Sequence, residues 1–164
     1  MDRNLHPEKQ KQMNEFKTID DILDFAINEE QKASDLYASL AARSRNRMIQ
    51  EVFEQFSKEE LGHKKKLESI KSENVVAVSK EKVVDMKIGD YLVEVNKSRD
   101  DLSYQESLII AMKEEKAAFR LYSDLANRTE HVALKETFLM LAQEEAKHKL
   151  RFEIEYDDYI LKEN

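Results

Sequence analysis

Residues 26–37, Ala26-Ile27-Asn28-Glu29-Glu30-Gln31-Lys32-Ala33-Ser34-Asp35-Leu36-Tyr37, return 85 positions later as Ala111-Met112-Lys113-Glu114-Glu115-Lys116-Ala117-Ala118-Phe119-Arg120-Leu121-Tyr122. The likeness continues without a gap, so that residues 22–68 align with 107–153 and 17 of the 47 paired positions are identical. Among them are Leu40 and Leu125, Phe53 and Phe138, and the runs Glu59-Glu60-x-x-His63 and Glu144-Glu145-x-x-His148. Self-similarity of this length marks one supersecondary unit present twice. Within each copy apolar residues recur at three and four and no alternating pattern is sustained, which predicts a helical hairpin. The chain is therefore expected to be all-α, a four-helix bundle of two duplicated hairpins over about 18–71 and 103–156.

The spacing predicts a first helix from about Thr18 to Arg43, with Thr18 and Asp21 as a cap-like pair. A second follows the polar turn Arg43-Ser44-Arg45-Asn46 and runs to about Lys71. The third opens at Ser103, where Ser103-Tyr104-Gln105-Glu106 is a capping box. The fourth is expected to begin near Thr129 and reach the 150s. Helices of about 25 residues span about 38 Å each, so the four match in length and can pack side by side. Residues 72–102, with Val75-Val76-Ala77-Val78 and Val83-Val84, are long for a loop and read as a crossover to the far end of the third helix, with a short helix around 88–95. Residues 1–17 read as a polar arm, and 18–164 as one domain.

Composition agrees and narrows the function. Two Gly and one Pro in 164 residues are too few turn formers for a many-stranded sandwich or barrel. The absence of cysteine excludes disulfides, thiolate zinc sites, thiol catalysis and Cys-ligated iron within this sequence, so any redox partner is a separate protein. Met1-Asp2-Arg3-Asn4 has no apolar signal core and no apolar run is long enough to span a bilayer, so a soluble cytoplasmic protein without a membrane partner is expected. A net charge of −7 argues against nucleic acid as a partner.

The chemistry lies where the apolar seam breaks. The second helix gives Phe53, Phe56, Glu60, His63, Leu67, and the fourth gives Phe138, Leu141, Glu145, His148, Phe152. The first and third carry Ala26, Glu30, Ala33, Tyr37 and Ala111, Glu115, Ala118, Tyr122. Four carboxylates on buried stripes would each cost several kcal/mol, and mutual repulsion adds to this. Something positive must lie among them. Four Glu and two neutral His offer six ligands and four negative charges, which two divalent cations neutralise. An oxygen and nitrogen donor set without sulfur suits iron or manganese better than structural zinc.

Each candidate ligand is preceded by another acid: Glu29, Glu59, Glu114 and Glu144. A one-residue shift turns a side chain by about 100° on a helix, and both the seam and the three-residue spacing to His favour Glu30, Glu60, Glu115 and Glu145. The outer acids are left for salt bridges or for guiding ions inward. Tyr37 and Tyr122 lie two turns along the face of Glu30 and Glu115, where the phenols either hydrogen-bond a ligand carboxylate or simply pack. Gly62, inside Glu60-x-x-His63, suggests a close approach by a neighbouring helix or a local deformation. His6 and His131 are expected in solvent.

With these motifs in hand, Glu30-x-x-Ala33-x-x-x-Tyr37, Phe53 with Glu60-x-x-His63, Glu115-x-x-Ala118-x-x-x-Tyr122 and Phe138 with Glu145-x-x-His148, residues 18–156 resemble the rubrerythrin family of ferritin-like proteins. The ligand pattern is also the general one of di-iron and di-manganese carboxylate bundles. The resemblance implies a ferritin-like bundle with a long crossover between its second and third helices. It also implies a pair of iron ions, with manganese as the alternative, and frequent homodimers. By position it makes Glu30, Glu60, His63, Glu115, Glu145 and His148 the metal ligands and catalytic centre, with Tyr37 and Tyr122 behind them. The activity it implies is two-electron reduction of hydrogen peroxide or oxygen by the ferrous pair, re-reduced by an external electron-transfer protein, as in protection against oxidative stress. Two departures stand out: the rubredoxin domain typical of the family has no counterpart, and Ala118 occupies the place of an additional carboxylate. Iron binding, ferroxidation or storage, and a di-manganese catalase-like reaction, are the competing expectations.

Overall fold

The computed structural model describes residues 16–73 and 86–163. Four helices carry the fold: α1 (Ile19–Arg43), α2 (Arg47–Glu73), α3 (Tyr104–Arg128) and α4 (Val132–Glu163). Both anticipated capping boxes are formed. The Asp21 N–H donates to Thr18 Oγ1 (3.3 Å) while the Thr18 N–H donates to the Asp21 carboxylate (3.2 Å). Ser103 and Glu106 exchange the equivalent pair at 3.1 and 3.4 Å, so each box satisfies two of the N–H groups that a helix start leaves without partners. Asn46 caps α2 by accepting from the Ile49 N–H at 3.0 Å. One boundary differs from expectation: Thr129 closes α3, its N–H donating to the Leu125 carbonyl, and α4 starts only at Val132. A threonine that ends one helix was available to sequence reading as the start of the next.

Pairings across the bundle give its directions. Ser34 contacts Ser57 at 2.9 Å and Gln31 accepts from Lys64 at 2.9 Å, so α1 and α2 run antiparallel. Tyr37 meets Glu115 and Tyr122 meets Glu30, so α1 and α3 are antiparallel too. His63 with Glu145 and Phe53 with Phe152 set α2 against α4 in the same way. Arg43, at the end of α1, donates to the Leu102 carbonyl (2.6 Å) and to Ser107 Oγ (2.7 Å). The third helix thus starts at the opposite end of the bundle from where α2 finishes, and the intervening chain must cross its length.

The described part of that crossover, 86–102, lies along the α1 and α3 side. The Phe16 N–H donates to the Met86 carbonyl, Tyr91 donates to Asp124 at 2.6 Å, and Arg99 pairs with Glu114. The short helix expected around 88–95 is instead a single 3₁₀ turn, Ile88–Asp90, with a second at Arg99–Asp101. Val93 and Val95 pack against the bundle beyond the first turn. The valine run 75–84, the arm up to residue 15 and His6 lie outside the described residues. Among the described residues no helix is long and apolar enough to cross a membrane.

The core is divided in two. One apolar cluster holds Ile22, Ala26, Leu67, Leu125, Phe138 and Leu141, the other Ala33, Leu40, Phe53, Leu108, Ala111 and Phe152. On every helix the acidic and histidine seam positions fall between members of the two clusters. A charged layer therefore sits at mid-bundle, walled off from water on both sides by packed aromatic and aliphatic side chains.

Candidate metal centre

All six seam residues are buried: Glu30, Glu60, Glu115, Glu145 and His148 are no more than 2% exposed, and His63 is 9% exposed. Their neighbours Glu29, Glu59 and Glu144 lie further out, and Glu114, with its side chain 10% exposed, is turned toward Arg99. The helical spacing does this, since a step of about 100° carries the preceding side chain out of the interior.

The six form two overlapping sets. Atoms of Glu30, Glu60, His63 and Glu145 lie within 4.8 Å of one another, and so do atoms of Glu60, Glu115, Glu145 and His148. Metal bonds of about 2.0–2.2 Å place ligands up to about 4.4 Å apart across a centre, so each set has the dimensions of a coordination shell. Glu60 and Glu145 belong to both sets and would be shared by two bound cations. Glu30 with His63, and Glu115 with His148, complete one position each.

Partnering shows what the arrangement lacks. Glu30 Oε2, both Glu60 oxygens, His63 Nδ1, Glu115 Oε2, Glu145 Oε1 and His148 Nδ1 are buried and have no hydrogen bond. His63 Nδ1 comes within 2.8 Å of Glu145 Oε1, yet the two do not meet in hydrogen-bonding geometry. Lone pairs converge on shared points instead of on N–H or O–H donors. Unpaired buried polar atoms are rare and costly in folded proteins, and seven in one layer fit a pair of cations as their missing partners.

Electrostatics agree. Burial pushes the Glu60, Glu115 and Glu145 carboxyls well above the usual carboxylate range, and the charges of neighbouring glutamates push them further. Glu30 moves the other way: burial opposes ionisation, but the closeness of Glu60 and of the His63 imidazole, with the Tyr122 hydroxyl donating to it, outweighs it. Burial would depress His148, but the close Glu60 carboxylate, the charge of Glu145 and the Glu59 contact raise it to about 9. His63 is raised still more strongly by Glu145, Glu30 and Glu60. The raised carboxyls and imidazoles retain protons that offset part of the layer's negative charge.

The tyrosines do more than pack, and they act across the bundle. Tyr37 donates to Glu115 and Tyr122 to Glu30. Each phenol therefore orients the terminal carboxylate of the other hairpin, a consequence of the antiparallel α1 and α3 that single-helix spacing does not reveal. Burial, then the facing carboxylate charge, pushes both phenols up, so they remain donors.

Three outer acids have cationic partners: Glu29 with Lys32 (3.2 Å), Glu144 with Lys147 (3.4 Å) and Glu114 with Arg99. Glu59 instead lies 2.6 Å from His148 Nε2. Sequence reading missed this contact, and also Phe56, which stacks on the His148 ring with centroids 4.1 Å apart. Their spacing was visible, since Phe56, Glu59, Glu60 and His63 share one helix face at three- and four-residue steps. Gly62 is exposed and a Cβ there would meet nothing within 4 Å, so no neighbouring helix approaches it closely. His131 is exposed, as expected.

A cavity between α1 and α3 reaches Glu30, Glu60 and Glu145 from the side opposite the imidazoles. Ala33, Ala117 and Ala118 line it, and Tyr91 and Val93 of the crossover close over it. Alanine at 33 and 118 leaves room beside the carboxylates where a longer side chain would fill it.

The sequence model of the rubrerythrin family matches residues 21–156. A Thermotoga maritima protein described as a ferritin-like diiron-carboxylate protein is similar in structure, with a TM-score of 0.75 at 20% identity, covering 89% of this chain and 98% of its own. A hypothetical protein of Pyrococcus furiosus has a TM-score of 0.66 at 24% identity, covering 85% of this chain and 89% of its own. At these identities the likeness is one of fold. No curated protein matches the chain.

Proposed function

Because this chain belongs to the rubrerythrin family, we propose that it is a di-iron oxidoreductase that reduces hydrogen peroxide or oxygen with electrons from an external donor. The observation that carries the reading is the pair of overlapping donor sets sharing Glu60 and Glu145. When bound, a ferrous pair supplies two electrons, one from each ion, to the O–O bond of the oxidant. Glu60 and Glu145 would be shared between the two ions, with Glu30 and His63 serving one and Glu115 and His148 the other. The Tyr37 and Tyr122 phenols keep the terminal carboxylates in place, and the apolar clusters exclude bulk water. The alanine-lined cavity admits a small molecule on the face the imidazoles leave open.

Metal content of protein purified without chelator, then anaerobic Fe(II) loading and separate additions of peroxide and oxygen, tests the reading. Uptake of about two Fe(II) per chain, oxidised rapidly by peroxide, is expected from the two donor sets. Rapid oxidation by oxygen alone with retention of the ferric product favours ferroxidation or storage. Two manganese ions with peroxide disproportionation indicate a catalase-like enzyme. Failure to take up two metals removes the proposal. An external donor protein would dock through a basic patch, complementary to the −7 charge.

The homodimer has a face available to it. Opposite its core side, α4 exposes Val132, Leu139, Leu150, Ile154 and Leu161, a stripe running almost its whole length. A two-fold axis between Ala146 and Lys147 sets Val132 against Leu161 and Leu139 against Ile154 of an antiparallel second copy, so the stripe is complementary to itself, as an isologous interface requires. Light scattering is expected to give twice 19.3 kDa, reduced to one chain by Leu150→Asp. A monomeric wild-type chain would rule the dimer out.

A further inference from the structure

We infer that Glu59 is the positioning residue of His148, and that the duplicated centre is therefore unequal. The metal position served by Glu115 and His148 is held ready, and the one served by Glu30 and His63 is not. The inference rests on the dinuclear reading above and adds an order of loading to it.

The His148 ring is fixed on two sides by α2. Its Nδ1 faces Glu60 at 2.5 Å and Glu115 at 3.5 Å, inside the donor set. Its Nε2 lies 2.6 Å from Glu59 Oε2. A neutral imidazole that offers its Nδ1 lone pair to a metal carries its proton on Nε2, and the Glu59 carboxylate accepts that N–H. Phe56, one turn earlier on α2, lies against the ring face at 28° to it. Tilt and rotation are set before a metal arrives, and the Glu59 acceptor determines that Nε2 keeps its proton when Nδ1 gives its own up, the arrangement by which outer partners raise ligand affinity.

His63 has neither support. The repeat places Leu141 where Phe56 stands and Glu144 where Glu59 stands. Leucine offers no ring to stack. Glu144 pairs with Lys147 and lies close to Glu59 and His148. Among the described residues, only Glu30, Glu60 and Glu145 bring a carboxylate within 4.0 Å of a His63 ring nitrogen, and all three face Nδ1. His63 is also the most exposed of the six. A repeat that copied the ligands has diverged in what holds them.

Anaerobic titration of the metal-free full-length chain with Co(II), followed by calorimetry and by the visible bands of the bound ion, tests this. Wild type is expected to bind two Co(II) in two resolved steps. In Glu59→Ala the tighter step should weaken by about 10–100-fold, with the weaker step unchanged and two Co(II) still bound at saturation. Glu59→Gln, which keeps an acceptor oxygen, should recover part of the loss, and Glu144→Ala should change neither step. If Glu59 only fastens α2 to α4, Glu59→Ala shifts both steps equally or neither and lowers the melting temperature, which overturns the assignment. An equal effect from Glu144→Ala overturns it as well. A wild-type chain that binds fewer than two Co(II) fails the dinuclear reading itself, a result separable from any effect of Glu59.

Discussion

Glu60→Ala is expected to strip both metal positions at once, so that iron retained after anaerobic loading and desalting falls from about two per chain to well under one. Glu145→Ala should do the same. Both residues are members of both donor sets, whereas Glu30 and Glu115 each belong to one. Glu30→Ala and Glu115→Ala should therefore each weaken one position and leave the other measurable. The contrast matters more than the loss: a damaged fold would lower all four variants alike, and helicity should be checked alongside metal content. Fe(II) oxidation should vanish in the two bridging variants, because transfer of two electrons needs both ions at a held separation. Retention of two irons in either Glu60→Ala or Glu145→Ala would remove the bridging assignment.

The same residues show which parts of the centre were legible in the sequence. Glu60 and His63, or Glu145 and His148, are separated by three residues, and a helix converts that spacing into a shared face whatever the rest of the chain does. The copy at an offset of 85 made four separate weak patterns into one strong one. Pairing across helices has no such local record. Tyr37 was seen to point along the face of Glu30, but it donates to Glu115, because α1 and α3 run antiparallel. Glu59 was left among the outer acids, since nothing in its own helix indicates that His148 presents Nε2 to it from α4. The crossover was readable as a length and not as a path: Tyr91, Val93 and Arg99 find their places through contacts with α1 and α3, so the expected helix at 88–95 gave way to tertiary packing. Burial agrees with what periodicity favoured, setting Glu30, Glu60, Glu115 and Glu145 inside and Glu29, Glu59 and Glu144 nearer the surface, while Glu114 is held by Arg99.

A chain that buries four carboxylates should reveal their cost when its metals are removed, and the sign can be worked out group by group. Burial first, and then neighbouring charges, raise Glu60, Glu115 and Glu145 in the folded chain. The native state thus holds protons that the unfolded chain releases above its ordinary carboxyl pKa near 4.5. Stability from these groups is fully present below that pH and is lost as pH rises toward their folded values. His148 and His63, also raised, act in the same direction: their contribution is complete below 6.5 and for His148 declines as pH passes through about 9. Glu30, lowered, opposes them only on the acid side, where its contribution disappears as pH falls through its depressed value. The melting temperature of chelator-treated protein should therefore be highest near pH 4.5 and fall steadily toward pH 9. Metal binding has the reverse dependence, because the ligands must be ionised carboxylates and neutral imidazoles, so affinity strengthens as pH rises. The gap between loaded and metal-free melting temperatures should widen across this range. Glu60→Gln, which keeps the volume and removes the titrating group, should raise the metal-free melting temperature at neutral pH while abolishing the stabilisation by Co(II). A gap that stays constant from pH 5 to 9, or a Glu60→Gln chain less stable than wild type when both are metal-free, would show that the buried glutamates do not carry the strain that cations relieve.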